Sequence, residues 1–311
     1  MDVDAVVTWV DGGDASWRGA FDRWSERCRS DVGPDGRDPS RYRDNGELRY
    51  SLRAIRQYAP WFRRIHVVTA GQTPGWFEPH GWVRLVDHVD IFGPASLPTF
   101  NSHAIEARLH HIPGLAERFV YFNDDVFLAR PQGRADYFTA DGRPIVALDQ
   151  TPLPDAHSSS GACVDLGALV ARDLLLSTDL TGVPNQRPSH GPFALCRSVL
   201  LELERRFAPA LAATASHRFR SASDVPLATF LAPLYAMASG GAVAGELRVG
   251  YAGLDDDDLA EQLARFDREE FDAFCLNDTE RVTMPSFATV LAFDFLARRY
   301  PIRAPWERRA E

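Results

Sequence analysis

Runs of β-branched and aromatic residues alternate with helically spaced segments through the first half of the chain, and this alternation narrows the choice of fold more than any other feature. Ala5-Val6-Val7-Thr8-Trp9-Val10 reads as a strand closed by the turn signature Asp11-Gly12-Gly13-Asp14. Asp44-Asn45-Gly46-Glu47 has the acid-x-x-Glu form of a helix N-cap with a capping-box partner. Leu48, Leu52 and Ile55 follow at helical spacing, and Pro60 closes the segment. Ile65-His66-Val67-Val68-Thr69 is the next strand, Trp82 to Val86 another, and a helix over Ser102 to His111 precedes Phe119-Val120-Tyr121-Phe122. Strands separated by helices predict βαβ units and a mostly parallel sheet.

The second half reads differently. Gly161 to Thr181 is mixed, Arg197 to Ala213 and Pro226 to Ala238 look helical, and Ser286 to Tyr300 is a final amphipathic helix. The acids Asp255 to Asp258 precede Leu259-Ala260-Glu261-Gln262-Leu263 and read as helix capping that complements the macrodipole. The expected fold is α/β: one catalytic domain over residues 1–311, with a nucleotide-binding core over 1–150 and a helical portion over 151–311 packed against its active edge.

The strand at Phe119 to Phe122 ends in Asn123-Asp124-Asp125. Ligands of open α/β sheets sit beyond the carboxyl ends of the strands. Two acids half-buried there are costly unless a cation meets them, and Mg²⁺ or Mn²⁺ carrying a diphosphate is the simplest such partner. Asn277 and Asp278, in the turn-like stretch Cys275 to Thr279, are hard oxygen donors that could complete the site with Asp125. The corner Trp9-Val10-Asp11-Gly12 could stack a base and bind a ribose. Arg43 and Arg49 flank the helix start at Asn45, where free N–H groups and partial positive charge suit an anion. Ser102 and His103 place small polar groups ahead of a helix on the Asp124 side. His190, between Pro188 and Pro192, suits a general base, and His217, Arg218 and Arg220 could clamp a phosphate.

Composition prunes the alternatives. The formal charge of −9 argues against nucleic acid as a partner. All 34 cationic side chains are arginine, so a P-loop lysine and Schiff-base chemistry are excluded, and a phosphate clamp must be guanidinium, metal or backbone. No window approaches the roughly eighteen uncharged apolar residues of a membrane span. The acidic start, Met1-Asp2-Val3-Asp4, lacks the basic region of a secretory signal. Cys28, Cys163, Cys196 and Cys275 are widely spaced and expected as reduced thiols. The expected location is cytoplasmic, with association at the inner face of the membrane left open.

Taken in order, these motifs resemble the Stealth family. They are Asp4 to Trp17, the block Arg43 to Arg130 with Arg43-Asp44-Asn45-x-Glu47-Leu48-Arg49-Tyr50 and Phe122-Asn123-Asp124-Asp125, then Pro188 to Asp224, and Cys275 to Asp278. The resemblance implies a glycosyltransferase-A-like, Rossmann-like core. It implies transfer of a sugar-1-phosphate from a UDP-hexose or UDP-N-acetylhexosamine to a saccharide hydroxyl, with Mg²⁺ or Mn²⁺. The family's metal-binding acids would fall on Asp125, with Asp124 beside it, and on Asn277 and Asp278. Its essential histidine would fall on His190 and its basic cluster on His217, Arg218 and Arg220. Whether His190 or His217 is the base stays open. The rival readings are a metal-dependent glycosyltransferase that releases UDP, and a silent sugar-nucleotide-binding protein.

Overall fold

The apolar run near the start of the chain forms β1 (Val3–Thr8), buried from Val3 to Val7. A strand with no solvent face belongs inside a sheet covered on both sides. The structure, a computed structural model describing residues 1–28, 32, 36–153, 163–278 and 287–308, puts it there. Five strands lie in the order β3 (Val83–Asp87), β2 (Ile65–Thr69), β1, β4 (Arg118–Asn123) and β8 (Phe193–Cys196). The first four are parallel, and β8 runs antiparallel to β4.

Side-chain alternation along β1 divides the core. Val3, Ala5 and Val7 pack with Leu48, Leu52 and Ile55 of α2 (Glu47–Tyr58), with Leu263 and Phe266 of α8 (Leu259–Arg268), and with Phe295 of α9 (Phe287–Arg299). Val6 faces the opposite layer, built from α4 (Cys163–Leu176), α5 (Arg197–Arg206), α6 (Ala208–Ser216) and α7 (Ala232–Ala238). Trp17 and Phe21 of α1 (Ala15–Arg27) form an aromatic cluster with Tyr42, Phe100 and Phe219, just before α3 (Ser102–Glu106). The expected α/β class with a mostly parallel sheet and added helices is the observed one.

The added portion also holds strands that sequence reading missed. β5 (Val126–Leu128) leaves the main sheet directly after Asp125 and pairs with β11 (Ala273–Asn277), itself parallel to β10 (Val249–Gly253). A third sheet has the order β7 (Gln186–Pro188), β6 (Ile145–Pro152), β9 (Val243–Gly245). Of the turn-like stretch expected from Cys275, Cys275 to Asn277 are therefore the second half of β11, with Asp278 following it and Thr279 outside the described residues.

Other boundaries move for identifiable reasons. The helix α2 starts after Gly46, whose φ of 97° no residue with a Cβ adopts easily, so Asp44 bonds the Gly46 N–H and Glu47 the Asn45 N–H ahead of the helix, in place of a capping box. The segment Arg197 to Ala213 splits at Phe207, because Pro209 can start a helix but cannot continue one. The expected helix from Ser102 ends at Glu106, and Leu109–His111 forms a separate 3₁₀ turn. Leu227–Leu231 opens as a π-helical turn before α7, in which Pro233 has no N–H to give. The mixed stretch after Gly161 becomes α4 from Cys163 onward.

One charge is built into this core. Asp4 is fully buried on β1 and accepts both arms of Arg63 (2.9 and 2.7 Å) and the Ala116 N–H (2.9 Å), with His66 Nε2 at 3.1 Å. Burial alone would raise its pKa, but Arg63, His66 and Ala116 outweigh it and hold the carboxyl at about 2. A depressed acid contributes stability that is complete above its unfolded value near 3.9 and is lost as the pH falls through about 2. Arg63→Ala leaves that carboxylate buried without its main partner, and should cost about 3 kcal/mol at neutral pH. The denaturant midpoint at pH 7 measures the loss, which should shrink as the pH is lowered toward 2.

Candidate active site

Strand order reverses beside β1: β2 and β3 lie to one side and β4 to the other. Such a switch point opens a crevice at the carboxyl ends of the two central strands. Here Thr8 is in register with Asn123, so Trp9 to Gly12 and Asn123 to Asp125 emerge side by side. Thr8 Oγ1 lies 3.1 Å from Tyr121 Oη, which donates to Asn123 Oδ1 at 2.9 Å and braces the two strand ends. Gln72 bonds both the N–H and the C=O of Asp11, whose carboxylate accepts from the Gly13 N–H. The Gly12 N–H donates to the Tyr42 carbonyl at 2.6 Å, and a Cβ at Gly12 would collide with that oxygen, so this corner requires glycine.

The start of α2 adds acid to the same cleft. Glu47, buried, accepts from the Asn45 N–H (2.7 Å) and from Asn45 Nδ2 (2.8 Å), and Asp44 accepts from the Gly46 N–H (2.9 Å). Burial pushes the Glu47 carboxyl up to about 7 and raises that of Asp44. Asp124 is pushed well above the ordinary carboxylate range, by burial first and then by the charges of Asp125, Glu47 and Asp44. Burial also raises Asp125, opposed by His190 and by the Cys275 thiol. Burial, reinforced at Asp124 by its acidic neighbours, raises these carboxyls, and a cation among them would lower them again.

The β5·β11 ladder brings the remote segment in. Cys275 is in register with Val126, the Leu276 N–H donates to the Asp125 carbonyl at 3.1 Å, and Cys275 Sγ lies 3.4 Å from Asp125 Oδ2. Asp125, His190 and Cys275 each offer a donor atom, all within 4.8 Å of one another. Asp125 Oδ1 is buried and makes no hydrogen bond among the described residues. An orphaned carboxylate oxygen in a ring of raised acids fits a divalent ion.

The expected metal ligands are divided. Asp125 sits in that donor group. Asp278 is joined to Arg43, whose Nη1 lies 2.8 Å from both carboxylate oxygens, and to Asn45 Nδ2 at 3.2 Å. Asn277 ends β11, and its carbonyl accepts from the Leu254 N–H. The expected basic cluster is held by neighbours. Arg218 lies over the Trp24 ring at 3.8 Å and donates to the Ala95 and Leu97 carbonyls, while Arg220 donates to Ser102 Oγ. His217 Nδ1 lies 2.7 Å from the buried carboxylate of Asp224, which also takes Asn101 Nδ2 and the Ser221 N–H. His103 is buried 3.6 Å from the same acid, and burial lowers its pKa to about 4. Trp9 belongs to the core, and Arg49 lies near Glu307 and over Trp76.

Sequence reading placed Cys275, Asp224 and Glu47 within its motifs but did not name them among the site residues. Cys275 carried a usable signal, since residues two apart on a strand share a face with Asn277. Nothing local marked Asp224.

This geometry defines an α/β protein with a carboxylate-lined cleft at the switch point of its sheet, the position where such folds take nucleotide ligands. Residues 41–146 match conserved region 2 of the Stealth proteins and residues 189–238 match conserved region 3. The chain belongs to the Stealth family. An exopolysaccharide phosphotransferase of Streptomyces coelicolor is 42% identical over 99% of this chain and 52% of its own length. The exopolysaccharide phosphotransferase CpsY of Mycobacterium tuberculosis is 36% identical over 99% of this chain and 58% of its own length. The chain thus spans a little over half the length of these relatives. Among solved structures, the galactosyltransferase LgtC overlays with a TM-score of 0.46 at 9% identity, covering 96% of each chain. No helix among the described residues is long and apolar enough to cross a membrane.

If the acid cluster is a cation site, Mn²⁺ should raise the thermal midpoint of the wild type. At a hundredfold excess over the dissociation constant the stabilisation should be about 2.7 kcal/mol. Asp125→Asn should lose most of that response, which a fluorimetric melt with and without the ion measures.

Proposed function

We propose that the chain transfers a sugar-1-phosphate from a UDP-sugar to a saccharide hydroxyl, forming a phosphodiester and releasing UMP. The observation that carries the reading is the Asp125 carboxylate at the switch point, with one buried oxygen that makes no hydrogen bond among the described residues and with His190 exposed beside it. The relatives' name, exopolysaccharide phosphotransferase, supports the phosphotransfer part of the reading.

UDP-sugar would lie across the ends of β1 and β4, with uridine toward Trp9, Asp11 and Gly12. Asp125, with Asn277 and Asp278 beyond it, would hold Mg²⁺ or Mn²⁺, which when bound neutralises charge on the diphosphate. His190 is exposed at the cleft, beside Asp125, where an acceptor from solvent could meet it. It takes the proton of the acceptor hydroxyl as the oxygen bonds to the phosphorus that bears the sugar. The bond from that phosphorus to the bridging oxygen breaks, and UMP departs with the electron pair. Asp124 lines the donor side, and Arg43, Asn45, Arg49, Ser102, His103, His217, Arg218 and Arg220 would position donor and acceptor. Positioning and charge neutralisation supply most of the rate in such transfers. The chain would act as one catalytic unit in the cytoplasm, with residues 1–150 holding the donor and 151–311 completing the acceptor side.

The test is to supply UDP-hexoses with Mg²⁺ or Mn²⁺ and saccharide acceptors and to identify the nucleotide released. UMP is expected. UDP would make the chain a glycosyltransferase, and no turnover with intact donor binding would make it a binding protein. His190→Ala should lower kcat on the order of 10²–10⁴-fold while leaving donor binding close to the wild type, since proton transfer and donor affinity are separate.

A further inference from the structure

A second convergence of metal-ligating side chains lies away from the cleft. The 3₁₀ turn Leu109–His111 precedes β4, whereas Asp124 and Asp125 follow that strand. At about 3.3 Å per residue, the six residues of β4 span roughly 20 Å, and the cleft acids lie at its far end. Both histidines of the turn direct Nε2 at one carboxylate on α5. His110 Nε2 lies 3.0 Å from Glu204 Oε2, and His111 Nε2 lies 3.0 Å from the same oxygen and 3.1 Å from Oε1. The donor atoms of the three residues all lie within 4.8 Å of one another.

We propose that His110, His111 and Glu204 form a second metal site, for a divalent ion of the zinc type, that clamps the turn before β4 to α5. Two imidazole nitrogens and a carboxylate oxygen are the donor set that zinc prefers, whereas Mg²⁺ favours oxygen throughout. His110 is buried, and His111 and Glu204 are partly exposed. The arrangement is held from behind. Arg108 donates to Glu204 Oε1, orienting the carboxylate so that Oε2 is the oxygen both rings share. Arg197 Nε donates to the His110 carbonyl at 2.7 Å, and Leu109, Ile112, Leu200 and Leu203 are buried in one core cluster. Three protein ligands leave one tetrahedral position for water.

The test is calorimetric titration of the purified chain with zinc at neutral pH, in wild type, His111→Ala, Glu204→Gln and Cys275→Ser. The last variant separates this site from the donor group in the cleft. Glu204→Gln keeps a side chain that can still bond Arg108, so a folded variant is available even if His111→Ala is unstable. Whatever the cleft takes up, one equivalent of zinc should bind Cys275→Ser with the affinity it has in the wild type. Both other variants should bind that equivalent on the order of 100-fold more weakly, at least what loss of an outer-shell partner costs. The proposal is overturned if the wild type takes up no zinc outside the cleft, or if Glu204→Gln binds it as tightly as the wild type. In either case the cluster is an ion-pair network alone.

Discussion

The structure depends on holding several carboxylates together where they repel one another. Asp44 and Glu47 arrive from the start of α2, Asp124 and Asp125 from the end of β4. Neutral water would solvate such groups separately, and only a rigid frame keeps them crowded. That frame is backbone. The parallel β1·β4 ladder sets where β4 ends, and the β5·β11 ladder fixes the chain immediately after it. Gly46 lets α2 begin with its acids turned into the cleft. Burial raises the carboxyls of Glu47, Asp124 and Asp125, with the neighbouring acids adding to it at Asp124, and a bound cation would relieve the cost.

Arginine does the opposite work throughout the molecule. With no lysine in the chain, guanidinium forms the bidentate pairs that anchor one segment to another. Arg63 holds Asp4 at the base of the sheet, Arg53 holds Glu307 near the C-terminal end, and Arg43 holds Asp278 at the edge of the cleft. The Arg43–Asp278 pair ties the start of α2 to the end of β11, so a residue expected to bind substrate and one expected to bind metal are coupled. An ion drawing on Asp278 would loosen Arg43, and an anionic substrate drawing on Arg43 would loosen Asp278. Metal and substrate would then assist each other at the cleft.

Much of the frame was legible in the sequence, because buried parallel strands are uninterrupted apolar runs. β2 was read with its observed bounds, and β1 and β4 lay within a residue or two. The alternation of strand and helix carried the α/β class. What local pattern could not supply was the second sheet. Val126 to Leu128 is too short to stand out, and its partner lies about 150 residues away, so Cys275 read as a turn when it lies in the middle of a strand. Sequence separation also concealed Glu204, 94 residues from His110, whereas Asp224 lies only seven residues from His217 and no local pattern marked it as that ring's partner. Arg218 was read from its cationic neighbours, and its stacking contact was not legible there. Its place over Trp24 depends on α1, a helix that no motif connected to it.

The account's central claim is that the crowded acids at the end of β4 are a divalent-ion site. Anomalous diffraction from crystals grown with Mn²⁺ tests it most directly. The account predicts a manganese peak bonded to Asp125 Oδ1, the oxygen without a partner among the described residues. A cleft empty of manganese at saturating ion, with Asp124 and Asp125 unliganded, would contradict it.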